Sequence, residues 1–188
     1  MRNGKTNTSE WLNLRLVCVT QNMNADNSYV VLLEADDKNK TNFSFMVGKE
    51  EANLVAAAYR DESVPPVYQT MLDMAMASDF YISAVEVCRI ECGKCYGRLH
   101  LKDQVGVCRD VNIYMPDALV IAMAQNVPII IARSFLDKQV TKVGKNGGMT
   151  IPINSLASDL LQVELQNAIK CENYELASVL RDEIKRRK

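Results

Sequence analysis

The chain carries one histidine, His100, and that scarcity excludes more chemistry than any other feature of its composition. Paired-histidine acid–base catalysis, HExxH zinc hydrolysis and histidine-rich metal centres each need more imidazoles than one chain holds here. Glycine (8) and proline (5) are also few, which rules out collagen-like and low-complexity classes. Neither sign of charge dominates: 22 Lys and Arg against 23 Asp and Glu leave a formal net charge of -1. Such a chain is no bulk polycation, so any grip on nucleic acid must come from a local patch. No apolar run approaches the ~20 residues of a membrane span. The longest, 118–124, stops at Gln125 and Asn126. Residues 1–10 are polar, with no apolar segment leading to a small-residue cleavage site, and a cytoplasmic protein without membrane contact is expected. A P-loop, a Rossmann glycine fingerprint and a G-x-S-x-G elbow are also missing.

What is present suits a folded protein. Of 188 residues, 48% are apolar and 24% charged, enough for a core without staples. That length fits one domain plus an appendage. Four of the six cysteines (Cys18, Cys88, Cys108, Cys171) stand singly, where a free thiol behaves as a small hydrophobe. Cys92-Gly93-Lys94-Cys95 is the exception. A closed zinc site needs two further ligands, and no second CxxC exists. Because it joins two strand-like runs, the motif reads as a hairpin turn.

Residues 1–9 read as a frayed terminus. Leu12, Leu14 and Leu16 alternate with polar residues, the period of a strand with one wet face. Turn residues at 22–28 lead to a second strand at 29–33. A polar connection follows at 36–42, and a third strand, Phe43, Phe45 and Val47, ends at Gly48. A helix is expected over 49–60, with Ala52, Val55, Ala56 and Tyr59 inward, and a second from Pro65-Pro66 to about Ser78, with Val67, Met71, Met74 and Ala75 inward. The segments 81–91, 95–102 and 105–114 read as strands and 115–125 as a helix apolar on nearly every face. A short strand follows at 128–132. Since 43–59 and 111–125 share a strand–turn–helix plan, an internal duplication is expected. The fold class is α+β, a mixed β-sheet with packed helices, followed by a C-terminal helical hairpin. The boundaries are 10–137 for the domain, 138–154 for a linker containing Lys145-Asn146-Gly147-Gly148, and 155–188 for the hairpin. Asn173 is placed to cap its second helix.

Leu165, Ala168-Ile169, Glu172-Asn173-Tyr174-Glu175-Leu176-Ala177 and Leu180-Arg181-Asp182-Glu183-Ile184 resemble the UVR motif of nucleotide-excision-repair proteins. That resemblance implies a protein partner docked through Tyr174, Leu180, Arg181 and Ile184. The larger segment resembles the bifunctional nuclease domain family. The resemblance is carried by Phe45-Met46-Val47-Gly48 with Glu51-Ala52, Pro66-Val67, Met71-Leu72, Tyr96-Gly97-Arg98-Leu99-His100-Leu101, Asp117-Ala118-Leu119 and Pro128-Ile129. It implies cleavage of DNA or RNA. Two steps depart from the family pattern: its Thr-His-Asp is Tyr68-Gln69-Thr70 here, and its Arg-x-Ser-Asp-Ala is Tyr114-Met115-Pro116-Asp117-Ala118. This copy therefore either cuts or serves as an adaptor that binds without cutting.

With one histidine, phosphodiester cleavage would run through carboxylates and a divalent cation, Mg or Mn. Asp117 and Glu51, at equivalent places in the two halves, are the candidate catalytic and metal-binding carboxylates. Either residue is also what a first helical turn carries to offset its dipole. Strand parity puts Tyr96, Arg98 and His100 on one face, and Asp110, Asn112 and Tyr114 on one face of the next strand. If those faces align, Arg98 would hold phosphate, Tyr96 stack a base and His100 move a proton. The bland reading is a solvated face, or one buried between copies in a homo-oligomer. The basic tail 185–188 reads as a helix end offsetting its dipole.

Overall fold

The computed structural model describes residues 10–22, 27–62, 65–143 and 149–187. The expected frayed terminus at 1–9, the middle of the 22–28 turn, the Lys145–Gly148 cluster and the last lysine of the tail lie outside them. Among the described residues the strands are β1 (Trp11–Gln21), β2 (Ser28–Ala35), β3 (Asn42–Gly48), β4 (Phe80–Glu91), β5 (Lys94–Asp103), β6 (Cys108–Tyr114), β7 (Ile129–Ala132), β8 (Val140–Val143) and β9 (Met149–Thr150). The helices are α1 (Lys49–Tyr59), α2 (Pro66–Ala77), α3 (Met115–Ala124), α4 (Arg133–Leu136), α5 (Ser158–Lys170) and α6 (Tyr174–Arg186), with a 3-10 turn at Ile153–Ser155. The fold is α+β. No helix among the described residues is long and apolar enough to cross a membrane.

The strand order β6-β5-β4-β7-β1-β2-β3-β8-β9 displays the duplication. The meander β1–β2–β3 runs into α1, and the meander β4–β5–β6 runs into α3. Between the halves lies β7, antiparallel to β1 and parallel to β4. One core joins them: Val31, Leu33, Phe43, Phe45, Val85, Val87 and Ile131 of the sheet meet Val55 of α1 and Leu119 and Ile121 of α3. As its all-round apolar sequence requires, α3 is buried from Met115 to Ala122 save for Asp117. Each large side chain so buried contributes about 1.5–3 kcal/mol.

Several boundaries and faces differ from the sequence reading. The strand expected from Val105 begins at Cys108 instead, because Asp103 Oδ1 accepts the amides of Val105 and Val107 at 3.0 and 2.7 Å in an Asx-type turn. The stretch 138–154 is more than a linker, since it carries β8, β9 and the 3-10 turn, and β8 pairs with β3. On α2 the inward residues are Tyr68 and Leu72, while Val67, Met71 and Met74 are exposed. The rotation follows from Tyr68, whose ring fills the core edge while its hydroxyl reaches Asp117. On α1, Ala52 and Val55 are inward as expected, but Tyr59 is exposed and Leu54 and Ala58 pack in its stead.

A part-buried ion pair ties the β2–β3 connection to α4. Asp37, in the β2–β3 connection, accepts from Thr41 N and Oγ1 at 2.8 and 2.7 Å and from Arg133 Nη1 at 2.6 Å. Donation from Thr41 and then Arg133 holds its carboxyl well below the usual carboxylate range. A depressed carboxyl contributes stability above its unfolded-state pKa of about 3.9 and loses it as pH falls further. Asp37→Ala should therefore cost about 2–3 kcal/mol in urea unfolding at pH 7. The gap to the wild-type chain should narrow steadily below pH ~4, and a pH-independent gap would contradict the assignment.

The C-terminal hairpin has its own small core of Leu161, Ala168, Ala177 and Leu180. Asn173 caps α6 as expected, its side chain accepting from Leu176 N at 3.2 Å. Of the basic tail, Arg187 turns inward rather than serving the helix end alone. Its guanidinium donates to the carbonyls of Leu156, Asn154 and Ile153 at 2.6, 3.0 and 3.4 Å.

Candidate active site

Glu51 and Asp117 are each the third residue of their helix, α1 and α3, so the duplication places them equivalently. Both helices begin where a meander strand ends, with Gly48 and Tyr114 as N-caps. Beside them begins α5, with Ala157 as N-cap. None of the three termini has a side-chain cap. All three N-cap residues line one cleft of about 640 Å³, together with Glu51, Lys94, Ser158 and Asp159. Orphan amides and the helix dipole make each such end electropositive. Glu51 folds back over Gly48, whose missing side chain gives it room: a Cβ there would come within 2.6 Å of Glu51 Oε2.

Tyr114 joins the two carboxylates. Burial pushes its phenol up to about 12, and the negative charges of Glu51 and Asp117 add to the shift. At neutral pH it is a hydrogen-bond donor and no base. Asp117 accepts from Tyr68 at 2.6 Å, and burial followed by this bond raises the Tyr68 phenol as well. Tyr68 and Tyr114, two of the positions at which the sequence departs from the family pattern, thus stand beside the aspartate it keeps. Tyr68→Phe should leave Asp117 without this donor and cost about 1–2 kcal/mol; unchanged urea stability would contradict that reading.

On the sheet, the expected alignment of polar faces is present. Tyr96 pairs with Tyr114, Arg98 with Asn112 and His100 with Asp110. The Tyr96 and Tyr114 rings are 5.8 Å apart, and the Arg89 guanidinium lies 4.6 Å from the Tyr96 centroid. His100 Nδ1 is 2.8 Å from Asp110 Oδ1 and Nε2 is 3.0 Å from Glu86 Oε2. Arg98 lies 3.5 Å from Glu86 and 3.6 Å from Asp110. Glu86 is the member that the sequence reading missed. Its signal was a lone carboxylate between the apolar Val85 and Val87.

In this network the Tyr96 ring meets Tyr114 of the cleft, whereas His100 and Arg98 pair with Glu86 and Asp110 rather than with Glu51 and Asp117. Gly97 faces Met115 and Ala118 of α3, so strand alternation sends Tyr96, Arg98 and His100 to the opposite face of the sheet. The acid–base team of Glu51, Asp117 and His100 is therefore not assembled. Both imidazole nitrogens are already engaged by carboxylates.

Metal chemistry would rest on few donors. Among the described residues no group of three or more His, Cys, Asp and Glu side chains could hold an ion. The motif forms a hairpin as expected, but the turn sits at Cys92-Gly93 rather than Gly93-Lys94, since Lys94 already pairs with Glu91. Cys92 and Gly93, at φ 50 and 77, make its two-residue turn, the pattern of a type I′ connection, and Cys95 is fully buried. In the C-terminal hairpin, Tyr174 is exposed, and Arg181 pairs with Asp182 at 3.0 Å. Leu180 is buried inside the hairpin and Ile184 packs partly against the same cluster.

The model of one protein family, the bifunctional nuclease domain, matches residues 30–144, more than half of the chain. The match spans β2 to β8 and leaves α5 and α6 outside it. No curated protein matches the chain.

Proposed function

The chain belongs to the bifunctional nuclease domain family, and from that membership we propose that it hydrolyses phosphodiester bonds of DNA or RNA in the cleft where α1, α3 and α5 begin. The observation that carries this reading is the convergence of three uncapped helix N-termini on a cleft that also holds Glu51. Helix N-termini suit phosphate, whose charge they complement and whose oxygens accept their amides.

In this reading Glu51 takes the proton from the attacking water or helps hold a cation. Asp117, kept in place by Tyr68, is the second carboxylate. Tyr114 donates a hydrogen bond to a phosphate oxygen, and Lys94 adds positive charge at the rim. Two carboxylates fit Mg or Mn better than zinc, because such an ion fills its other positions with water and substrate phosphate. Bound there, a divalent cation would lower the pKa of water and stabilise charge on the phosphate. On the outer sheet face, Arg98 and Tyr96 would follow the strand beyond the cleft, and His100 would fix that face through Glu86 and Asp110. The hairpin would carry a protein partner at its exposed residues, Tyr174 and Arg181, with Leu180 and Ile184 shaping it from within. A homo-oligomer, formed across the outer sheet face, also belongs to this reading.

The test is cleavage of fluorescent single-stranded DNA and RNA by the full chain in Mg²⁺, Mn²⁺ and chelator, beside Asp117→Asn. Cutting that needs the metal and weakens in the variant is the expected result. Absence of cutting in every metal would support the second reading, an adaptor acting through the hairpin. The Tyr68–Asp117 bond and the closed His100 network favour that second reading, since both occupy groups that chemistry would use.

A further inference from the structure

The C-terminal hairpin borders the cleft without sharing the core of the sheet. Its buried cluster is separate from the main one, and it lies beyond the matched family domain. A small unit with its own core opens at lower free energy than the body that carries it. Yet α5 lays Ser158, Asp159, Leu160 and Val163 along the same cleft as Glu51 and Tyr114.

Two contacts seat the hairpin. At the tip of the β4–β5 turn, Gly93 is pressed on the segment leading into α5, where a Cβ would come within 2.4 Å of the Leu156 carbonyl oxygen. At the same segment, Arg187 from the end of α6 gathers the carbonyls of Ile153, Asn154 and that same Leu156. The 3-10 turn in this segment touches β3 and β4. Met46 reports on this seat. It lines the cleft at 5% exposure, and it points away from the main core, to which its neighbours Phe45 and Val47 belong.

We infer that the hairpin is a separately opening wall of the cleft, and that its seating on the β4–β5 turn sets access to Glu51 and Tyr114. The inference rests on reading that cleft as the substrate site. With the wall seated, the half-open cleft has the volume of a small-ligand site, room for a nucleotide-sized piece. A longer chain lying across the site needs the wall to lift. Ser158 and Asp159 are then site residues contributed from outside the family domain, and whatever binds the hairpin acts on the cleft.

Peroxide oxidation of the native methionines, mapped by mass spectrometry in the full chain, tests this directly. Met74 and Met76, at 67% and 66% exposure, are fast references, and the fully buried Met115 reports the main core. In Arg187→Ala, Met46 should oxidise about fivefold faster while Met115 stays protected. The wild-type chain in low urea should lose protection in the same order. Equal acceleration of Met46 and Met115 in both experiments would show one cooperative unit and overturn the inference, as would a Met46 that never accelerates. Cleavage assays on the same samples keep the two claims apart: a chain that cuts nothing sinks the nuclease reading, while the oxidation order still decides the wall.

Discussion

Gly93→Val is expected to unseat the C-terminal hairpin and to be among the most damaging single changes outside the core. Two costs add at this position. Gly93 has φ +77, a region that β-branched residues adopt only under strain of about 1–3 kcal/mol. Its new Cβ would also meet the Leu156 carbonyl oxygen at 2.4 Å, the carbonyl carbon at 2.9 Å and Ala157 Cα at 3.0 Å. These are backbone atoms, which cannot swing aside as a flexible side chain would. Gly106→Val is the matched control, because Gly106 has φ +93 but nothing within 4 Å of the point where a Cβ would stand. The control should therefore show the backbone strain alone. Urea unfolding should place the Gly93 variant a further ~2 kcal/mol or more below the control, the range of a backbone clash. Met46 should lose its protection in the first variant and keep it in the second. Equal losses in the two would mean that the contact with Leu156 contributes nothing.

Glu51→Gln should lower cleavage about 100-fold or more, the range for loss of a general base. Glutamine keeps the shape and the contact over Gly48 but neither takes up a proton nor neutralises a cation. Of the two equivalent carboxylates, Glu51 lines the cleft, whereas Asp117 is committed through one oxygen to Tyr68. Asp117→Asn should accordingly cost less, about tenfold. It retains an oxygen for the Tyr68 hydroxyl, so its urea stability should stay close to that of the parent. His100→Ala should not reproduce the Glu51 loss, because the imidazole stands on the opposite face of the sheet with Glu86 and Asp110. Single-turnover rates at saturating Mn²⁺ separate these cases. A Glu51→Gln chain that still cuts at the parental rate would remove this residue from the chemistry, and a His100→Ala chain losing 100-fold would move the centre to the outer face.

The α+β class, the order of nearly every element and the duplicated strand–helix plan follow from the sequence alone, because they rest on local periodicity. Alternation at Phe43, Phe45 and Val47 reads as a strand, although Ser44 and Met46 are buried on its other face as well, and the apolar run at 118–122, read with the length of 115–125, as a buried helix. Parity likewise brings Tyr96, Arg98 and His100 together, and the cap at Asn173 is a local hydrogen bond. Where local signals compete, the sequence leaves the outcome open. Val67, Met71 and Met74 make as good a stripe as Tyr68 and Leu72, and only the reach of Tyr68 to Asp117 across 49 positions settles which way α2 faces. Which face of β5 receives α3 is also decided at long range, by the space over Gly97. That choice separates His100 from Glu51 and Asp117. The cleft is tertiary in the same sense. Three helix ends from three parts of the chain meet there, and the third comes from a hairpin whose own sequence gives its helices and its cap but not where it seats. Periodicity specifies what each segment buries; which segments meet depends on shape and on polar partners far apart in the chain.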